Sequence, residues 1–214
     1  MLININSKDY WDQRFSNGDW IKKGGPEQTK NFAFAQLKYL NLPKIFDGTI
    51  LDFGCGLGDA ILVFHNKFPN ARLIGFDFSE GAINYCRRNY TNIAEFICGD
   101  FTVVPYTDVI ITSNVIEHIP DYINVVRHLK SCCRDLYIIV PYNEILTQNS
   151  EHFHSFTKNS FIGVLPYTYK VFIAKGWSQF GFSLFYNIYF KNIFRALLGK
   201  KLQKRNKQII FHFQ

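Results

Sequence analysis

The sequence predicts an α/β fold with a doubly wound, mostly parallel sheet, and three observations carry that prediction. Residues 49–59, Thr-Ile-Leu-Asp-Phe-Gly-Cys-Gly-Leu-Gly-Asp, pass from an apolar run through three closely spaced glycines into a helical pattern. Five short apolar runs alternate with stretches of helical periodicity, the pattern of parallel strands covered on both faces. Four of these runs lead directly into polar residues: Asp52, Asp77, Asp100 and Asn114. Open α/β sheets hold their ligands at the carboxyl ends of the strands, where these residues fall.

The N-terminal stretch 1–25 lacks strong periodicity but contains Tyr10-Trp11-Asp12, Arg14-Phe15 and Trp20, followed by a Gly24-Gly25-Pro26 loop. A helix is expected over 27–40, with Phe34, Leu37 and Leu40 at helical spacing. Asp47-Gly48 turns into strand one, about 49–53. A helix from about 58 stops before Pro69. Strand two covers 72–76 and ends at Asp77. Ser79 caps a helix to about 89, with Glu80 in its first turn. Strand three covers 95–98, strand four 108–113 and strand five 136–140. The loop 114–120 and a helix from Asp121 to about Cys132 separate the last two. Beyond Tyr142 the alternation loosens. Thr157 is expected to cap a short helix to about Leu165, 169–174 to form strand six, 183–199 a helix rich in aromatics, and 208–213 a last strand.

The 214 residues suffice for one α/β domain with a sizeable core, and 47% hydrophobic residues make a globular composition. Cys55, Cys86, Cys98, Cys132 and Cys133 show no metal-ligand spacing, so no metal site is expected and the thiols read as reduced and intracellular. The segment MLININSKDYW lacks the basic and apolar regions of a leader, and no stretch is apolar enough to cross a bilayer as a helix. The net charge is +7 but lopsided: residues 152–214 hold ten Lys and Arg and no acid. That end favours anionic partners.

Asp52 decides what kind of nucleoside the glycine turn suits. A carboxylate beside the loop repels a pyrophosphate and attracts an ammonium. The third glycine, Gly58, also comes one residue earlier than in the G-x-G-x-x-G turn of dinucleotide sites. S-adenosylmethionine has no phosphate and carries an ammonium, a carboxylate and a sulfonium. Asp52 can take the ammonium while amides of Gly54, Cys55, Gly56 and Gly58 approach the methionine tail. Asp77, 19 residues beyond Gly58, is spaced to take both ribose hydroxyls. Asp100 can accept from the adenine amino group, with Phe101 supplying an amide or a stacking face.

The segments LDFGCGLGD (51–59), GFDFSEGAI (75–83), CGDF (98–101) and SNVIEHIPD (113–121) together resemble the motifs of class I S-adenosylmethionine-dependent methyltransferases of the small-molecule type, in their order and spacing. Tyr10-Trp11 with Arg14-Phe15, and HFHSFT at 152–157, resemble further segments of that type, so the likeness covers about 9–175. It implies a Rossmann-like, doubly wound seven-stranded sheet, mostly parallel with an antiparallel last strand, a place open to 208–213. It implies S-adenosyl-L-methionine as cofactor and S-adenosyl-L-homocysteine as product. Asn114 would lie near the sulfonium, Phe78 beside Asp77 in the same binding segment, and Tyr10 and Trp11 over the methionine end. The organisation expected is one domain, 1–214: an N-terminal cover and helix (1–45), a cofactor-binding core (46–175) and a basic extension with the last strand (176–214).

Methyl transfer needs alignment and dry surroundings, plus a base where the acceptor is a hydroxyl or a protonated amine. His118 and His154 are the catalytic candidates, with His152 in the same segment as His154, and Glu117 placed to orient His118. Strand four is not followed by Asp/Asn-Pro-Pro-Tyr and no Pro-Cys dipeptide occurs, which disfavours a nucleic-acid base as acceptor. A small-molecule, sugar or lipid-linked acceptor, methylated on oxygen or nitrogen, is preferred. RNA methylation and a non-catalytic nucleotide-binding role remain as alternatives. The basic aromatic stretch 183–207 reads as an interfacial helix on anionic membrane, as a lid over the acceptor, or as a core helix before a solvated basic loop. The expected location is cytoplasmic, at the inner membrane face if the interfacial reading holds.

Overall fold

Alternation of strand and helix signals produces the sheet that the pattern calls for. The computed structural model describes residues 4–174, 182, 185–202 and 205–214. β1 (Thr49–Phe53), β2 (Arg72–Asp77), β3 (Glu95–Cys98), β4 (Thr107–Ser113), β5 (Cys133–Pro141), β6 (Thr168–Ile173) and β7 (Lys207–Phe213) form one seven-stranded sheet in the order β3-β2-β1-β4-β5-β7-β6. The first five strands pair in parallel, and β7 runs antiparallel to both β5 and β6. Order reverses between β1 and β4, so a crevice opens above Asp52 and Ser113.

α4 (Asp59–Lys67), α5 (Glu80–Tyr90) and α6 (Tyr122–Ser131) cross between the parallel strands. Ser79 caps α5, its hydroxyl accepting from the Ala82 amide at 3.1 Å, and Asp121 caps α6 in the same way through Asn124. Two apolar layers result. One packs Ile61, Phe64 and Ile83 against Ile50 and Val109. The other packs Val126, Leu129, Phe161 and Phe211 against Leu51, Ile110 and Ile138. Cys132 closes α6, as its position suggested, whereas Cys133 opens β5 three residues earlier than expected.

Three expectations need correction. Residues 1–25 lack periodicity yet hold α1 (Lys8–Ser16) and α2 (Asp19–Lys22). Their aromatic rings pack on one another instead of following an apolar stripe. In α3 (Gly25–Gln36) the inward face is Ala33 and Gln36, while Phe34 is 60% exposed. Residues 157–165 form turns, not a helix: the Thr157 and Ser160 hydroxyls take the Asn159 and Thr157 amides and end the chain's local options there. Within 183–199, of which 183–184 lie outside the described residues, the expected helix forms, as a π-helical stretch, Phe185–Phe190, that runs directly into α7 (Lys191–Leu197). No helix among the described residues is long and apolar enough to cross a membrane.

Candidate active site

The turn from β1 into α4 sets the floor of the site. Gly54 has φ +78°, and a Cβ there would stand 2.4 Å from a Val115 methyl carbon, so glycine is required both by conformation and by space. The loop's amides are spent inside the protein: Gly54 and Cys55 donate to the Phe76 carbonyl at 2.8 and 3.0 Å, Gly58 to the Cys55 carbonyl, and Gly56 to Asp77. This corrects the expectation that amides of Gly54, Cys55, Gly56 and Gly58 reach a ligand.

Asp52 is buried at the end of β1. Burial, and secondarily the charge of Asp77, pushes its carboxyl up to about 7. Asp77 is likewise buried and pushed up to about 6 by burial, although amides of Ser79 and Gly56, at 2.9 Å each, hold it down. Two buried acids with no cation beside them among the described residues suit an ammonium and a pair of hydroxyls, the donors of S-adenosylmethionine. Phe78, Asp100 and Phe101 line the same cavity. Asp100 already accepts from the amide and hydroxyl of Thr102, which lower its pKa, and keeps a solvent-facing carboxylate edge.

That cavity has a volume of about 1230 Å³, more than the ~300–1,000 Å³ of a pocket for one small ligand. It is roomy enough for a cofactor with a second molecule beside it. Asp52, Gly54, Cys55, Gly56, Asp77, Asn114, Trp11 and His118 all line it; Gly58, Tyr10 and His154 do not. Gly58 sits behind the loop with φ +80°, its α-carbon facing the Tyr90 ring. The Tyr10 hydroxyl instead donates to Glu151 at 2.6 Å. His154 Nε2 points at the Ile119 and Pro120 carbonyls, at 3.1 and 2.9 Å, and so braces the loop after β4.

Asn114 adopts φ +56°, and its side chain belongs to a buried polar chain. Gln36 donates to Ser113 at 2.8 Å, Asn114 to Ser113 at 3.1 Å, and Gln208 to Asn114 at 3.0 Å. This chain ties α3, β4 and β7 together beneath the cavity. Neither Gln36 nor Gln208 carries a sequence signal beyond being a polar residue in an apolar run.

Glu117, His118 and His152 also line the cavity. The short turn Ile116–His118 follows β4, and the Phe153 amide bonds the Glu117 carbonyl at 2.9 Å, so the two loops are joined. His118 Nδ1 meets the Glu151 carbonyl at 3.0 Å, and burial, with the charge of His152 next, pushes its pKa down to about 4. His152 Nδ1 bonds the Glu144 carboxylate; burial lowers its pKa, but that bond and the charge of Glu117 raise it on balance. Glu117 is wholly buried, its carboxyl pushed up to about 8 by that burial, and neither of its oxygens has a partner among the described residues.

The N-terminal helices close the site from above. Arg14 lies over the rings of Trp11 and Trp20, at 5.1 and 5.3 Å, and pairs with Glu151 at 2.6 Å. Asp12 accepts from Ser79 and Gly81 and so fastens α1 to the start of α5. Lys201 and Arg205 reach the cavity from the C-terminal stretch. Glu151 went unmarked in the sequence because nothing local distinguishes it from a solvated charge.

Comparison with known proteins agrees with this geometry. A family model described as a methyltransferase domain matches residues 50–135. The malonyl-[acyl-carrier protein] O-methyltransferase of Hahella chejuensis (strain KCTC 2396) is 44% identical over 46 residues, 22% of this chain and 16% of that protein, so the chain matches only a small part of that relative's length. Among solved structures, the plantazolicin methyltransferase BpumL in complex with SAH is 19% identical with a TM-score of 0.56, over 98% of this chain and 96% of that one. Coclaurine N-methyltransferase bound to N-methylheliamine and SAH is 15% identical with a TM-score of 0.59, over 85% and 70%. These structures share the fold. The methyltransferase-domain match runs from β1 into the start of β5, with the two buried acids at its strand ends, and the chain has the fold of these methyltransferases solved with SAH.

Proposed function

We propose that the chain methylates a small-molecule, sugar or lipid-linked acceptor, on oxygen or nitrogen, at the end of the cavity formed by Glu117, His118 and His152. One observation carries this reading: Asp52 and Asp77, which suit an ammonium and hydroxyls, line the same cavity as the imidazoles and carboxyl of Glu117, His118 and His152. When bound, S-adenosylmethionine supplies a methyl group on a positively charged sulfur, an electrophile with a neutral leaving group. The protein's part is then to hold, dry and align. Asp52 holds the ammonium, Asp77 the ribose, and Phe78, Asp100 and Phe101 bracket the adenine. Trp11, Phe15 and Trp20 cover the centre of the cavity and exclude water from it. Deprotonation of the acceptor falls to the Glu117–His118–His152 end, since His154 does not face the cavity.

Lys201 and Arg205 on the cavity wall favour an acceptor bearing a carboxylate or phosphate. The related proteins named above act on other molecules at low identity and leave the acceptor open. The decisive measurement is calorimetry with S-adenosylhomocysteine and, separately, with NAD. Binding of S-adenosylhomocysteine alone is expected; binding of NAD alone would overturn the reading. A transfer assay with labelled cofactor against fractionated small-molecule extract then identifies the acceptor.

A lipid-linked acceptor has support of its own. The exposed face of the C-terminal stretch carries Phe185, Tyr189, Ile193, Phe194, Leu197 and Leu198, next to Lys200 and Lys201. An apolar face flanked by cations suits the interface of an anionic bilayer.

A further inference from the structure

We propose that Glu117, His118 and His152 form a binding site for a divalent first-row metal ion at the acceptor end of the cavity. One ligand atom from each residue lies within 4.8 Å of the others. Three ligands about 2.0–2.2 Å from a shared ion in a tetrahedral shell stand about 3.3–3.6 Å apart, so the three close on an ion with side-chain movements of about an ångström. Three further observations support the assignment.

First, the Glu117 carboxylate lines the cavity, is wholly buried and lacks any hydrogen-bond partner among the described residues. An uncompensated buried carboxylate is costly, and a cation beside it supplies the missing partner. Second, both imidazoles have Nδ1 engaged by an oxygen, His118 by the Glu151 carbonyl and His152 by the Glu144 carboxylate. This fixes the Nδ1–H tautomer and turns the Nε2 lone pair free, the outer-oxygen arrangement of metal-binding histidines. Third, the donors come from two loops already joined through the Phe153 amide and the Glu117 carbonyl, so the set does not have to be assembled by the ion.

Two imidazoles and a carboxylate match zinc and its first-row neighbours; magnesium and calcium prefer shells of oxygen. Three protein ligands leave a position open toward the cavity. This inference rests on the methyltransferase reading and deepens it. An acceptor hydroxyl taking the open position becomes more acidic and loses its proton to water. Its oxygen then forms the new C–O bond to the methyl carbon while the C–S bond breaks, and that bond's electron pair stays on sulfur as a neutral thioether. His118 in this arrangement is a ligand and not the proton acceptor.

The test is a cobalt(II) titration of the chelator-treated full chain, followed by visible absorption, with S-adenosylhomocysteine calorimetry on the same samples. One equivalent of cobalt with ligand-field bands, displaced by zinc, is expected. Glu117→Gln and His152→Asn should each weaken cobalt binding by about 100-fold, and Glu144→Gln, which removes only an outer oxygen, by about 10-fold. S-adenosylhomocysteine affinity should stay within about twofold in all three. Wild-type protein that binds S-adenosylhomocysteine but gives no cobalt spectrum would overturn the metal site, as would a spectrum unchanged in the variants. Cobalt bound at these residues without S-adenosylhomocysteine binding would uphold the metal site and strike the methyltransferase reading instead.

Discussion

Asp77 is the residue on which cofactor binding turns most directly. Its carboxylate is positioned by two amides and faces a cavity, so removal of its charge should register in affinity. We predict that Asp77→Asn weakens S-adenosylhomocysteine binding by about 10- to 100-fold, equivalent to ~1.5–3 kcal/mol for hydrogen bonds to a charged group, as read by calorimetry. Wild-type affinity in that variant would contradict the assignment. Asp52 adds a pH signature. Its pKa is about 7 in the folded protein against an ordinary 3.8, so folding favours the protonated form. That stabilisation is complete below about 4 and is lost as pH rises through about 7. Ammonium binding favours the carboxylate instead. Affinity for S-adenosylhomocysteine should therefore climb between about pH 5 and 8, with proton release on binding, and Asp52→Asn should flatten that climb. A flat wild-type profile would count against Asp52 as the ammonium's partner. Both acids were legible in the sequence because a strand end, a glycine turn and a helix start are local grammar. Glu151 was not, because its partners Arg14 and Tyr10 lie 137 and 141 positions away.

At the scale of elements, the cover is held by few contacts. Arg14 joins α1 to the loop that carries His152, and its ion pair with Glu151 is largely shielded from solvent, at 15% and 26% side-chain exposure. Arg14→Ala is expected to cost about 1.5–3 kcal/mol of α1 docking. Hydrogen exchange should show residues 8–16 opening while β1 to β5 keep their protection; equal loss across the sheet would refute the division. The region 157–165 is the opposite case. Its backbone makes only separate turn bonds, from Ser160, Ile162 and Val164 to carbonyls three residues before, yet Phe161 is fully buried among Phe156, Phe211, Phe213 and Tyr122. Phe161→Ala should lower stability by about 3–5 kcal/mol in denaturant unfolding. The sequence misled there because apolar spacing describes which side chains are buried and not which backbone bonds are made. In α3 the same spacing picked out Phe34, whereas packing chose Ala33 and Gln36, a small residue and a polar one that meets Ser113.

For the whole molecule, the charge asymmetry gives the acceptor question its sharpest test. If the C-terminal face rests on anionic membrane, the full chain should sediment with phosphatidylglycerol vesicles and not with neutral ones, and 0.5 M salt should release it. Equal recovery with both vesicle types, or with protein lacking 183–202, would sink that reading. RNA binding with a steep salt dependence would favour the RNA alternative. Seven strands and their parallel core followed from periodicity, but the insertion of β7 between β5 and β6 depends on pairings that no local pattern encodes. The insertion has a consequence for how the protein diversifies. The Ala174 amide donates to the Asn206 carbonyl at 2.9 Å, so the chain leaves the sheet and returns to it at one point. Closing a loop costs only about 0.6 kcal/mol per doubling of its length, so roughly thirty residues can be shortened, lengthened or exchanged with little strain on the strands beneath. Lys201 and Arg205 ride on that excursion. Exchanging that excursion would change which charges face the acceptor in the proposed reaction, while Asp52 and Asp77 stay on their strands.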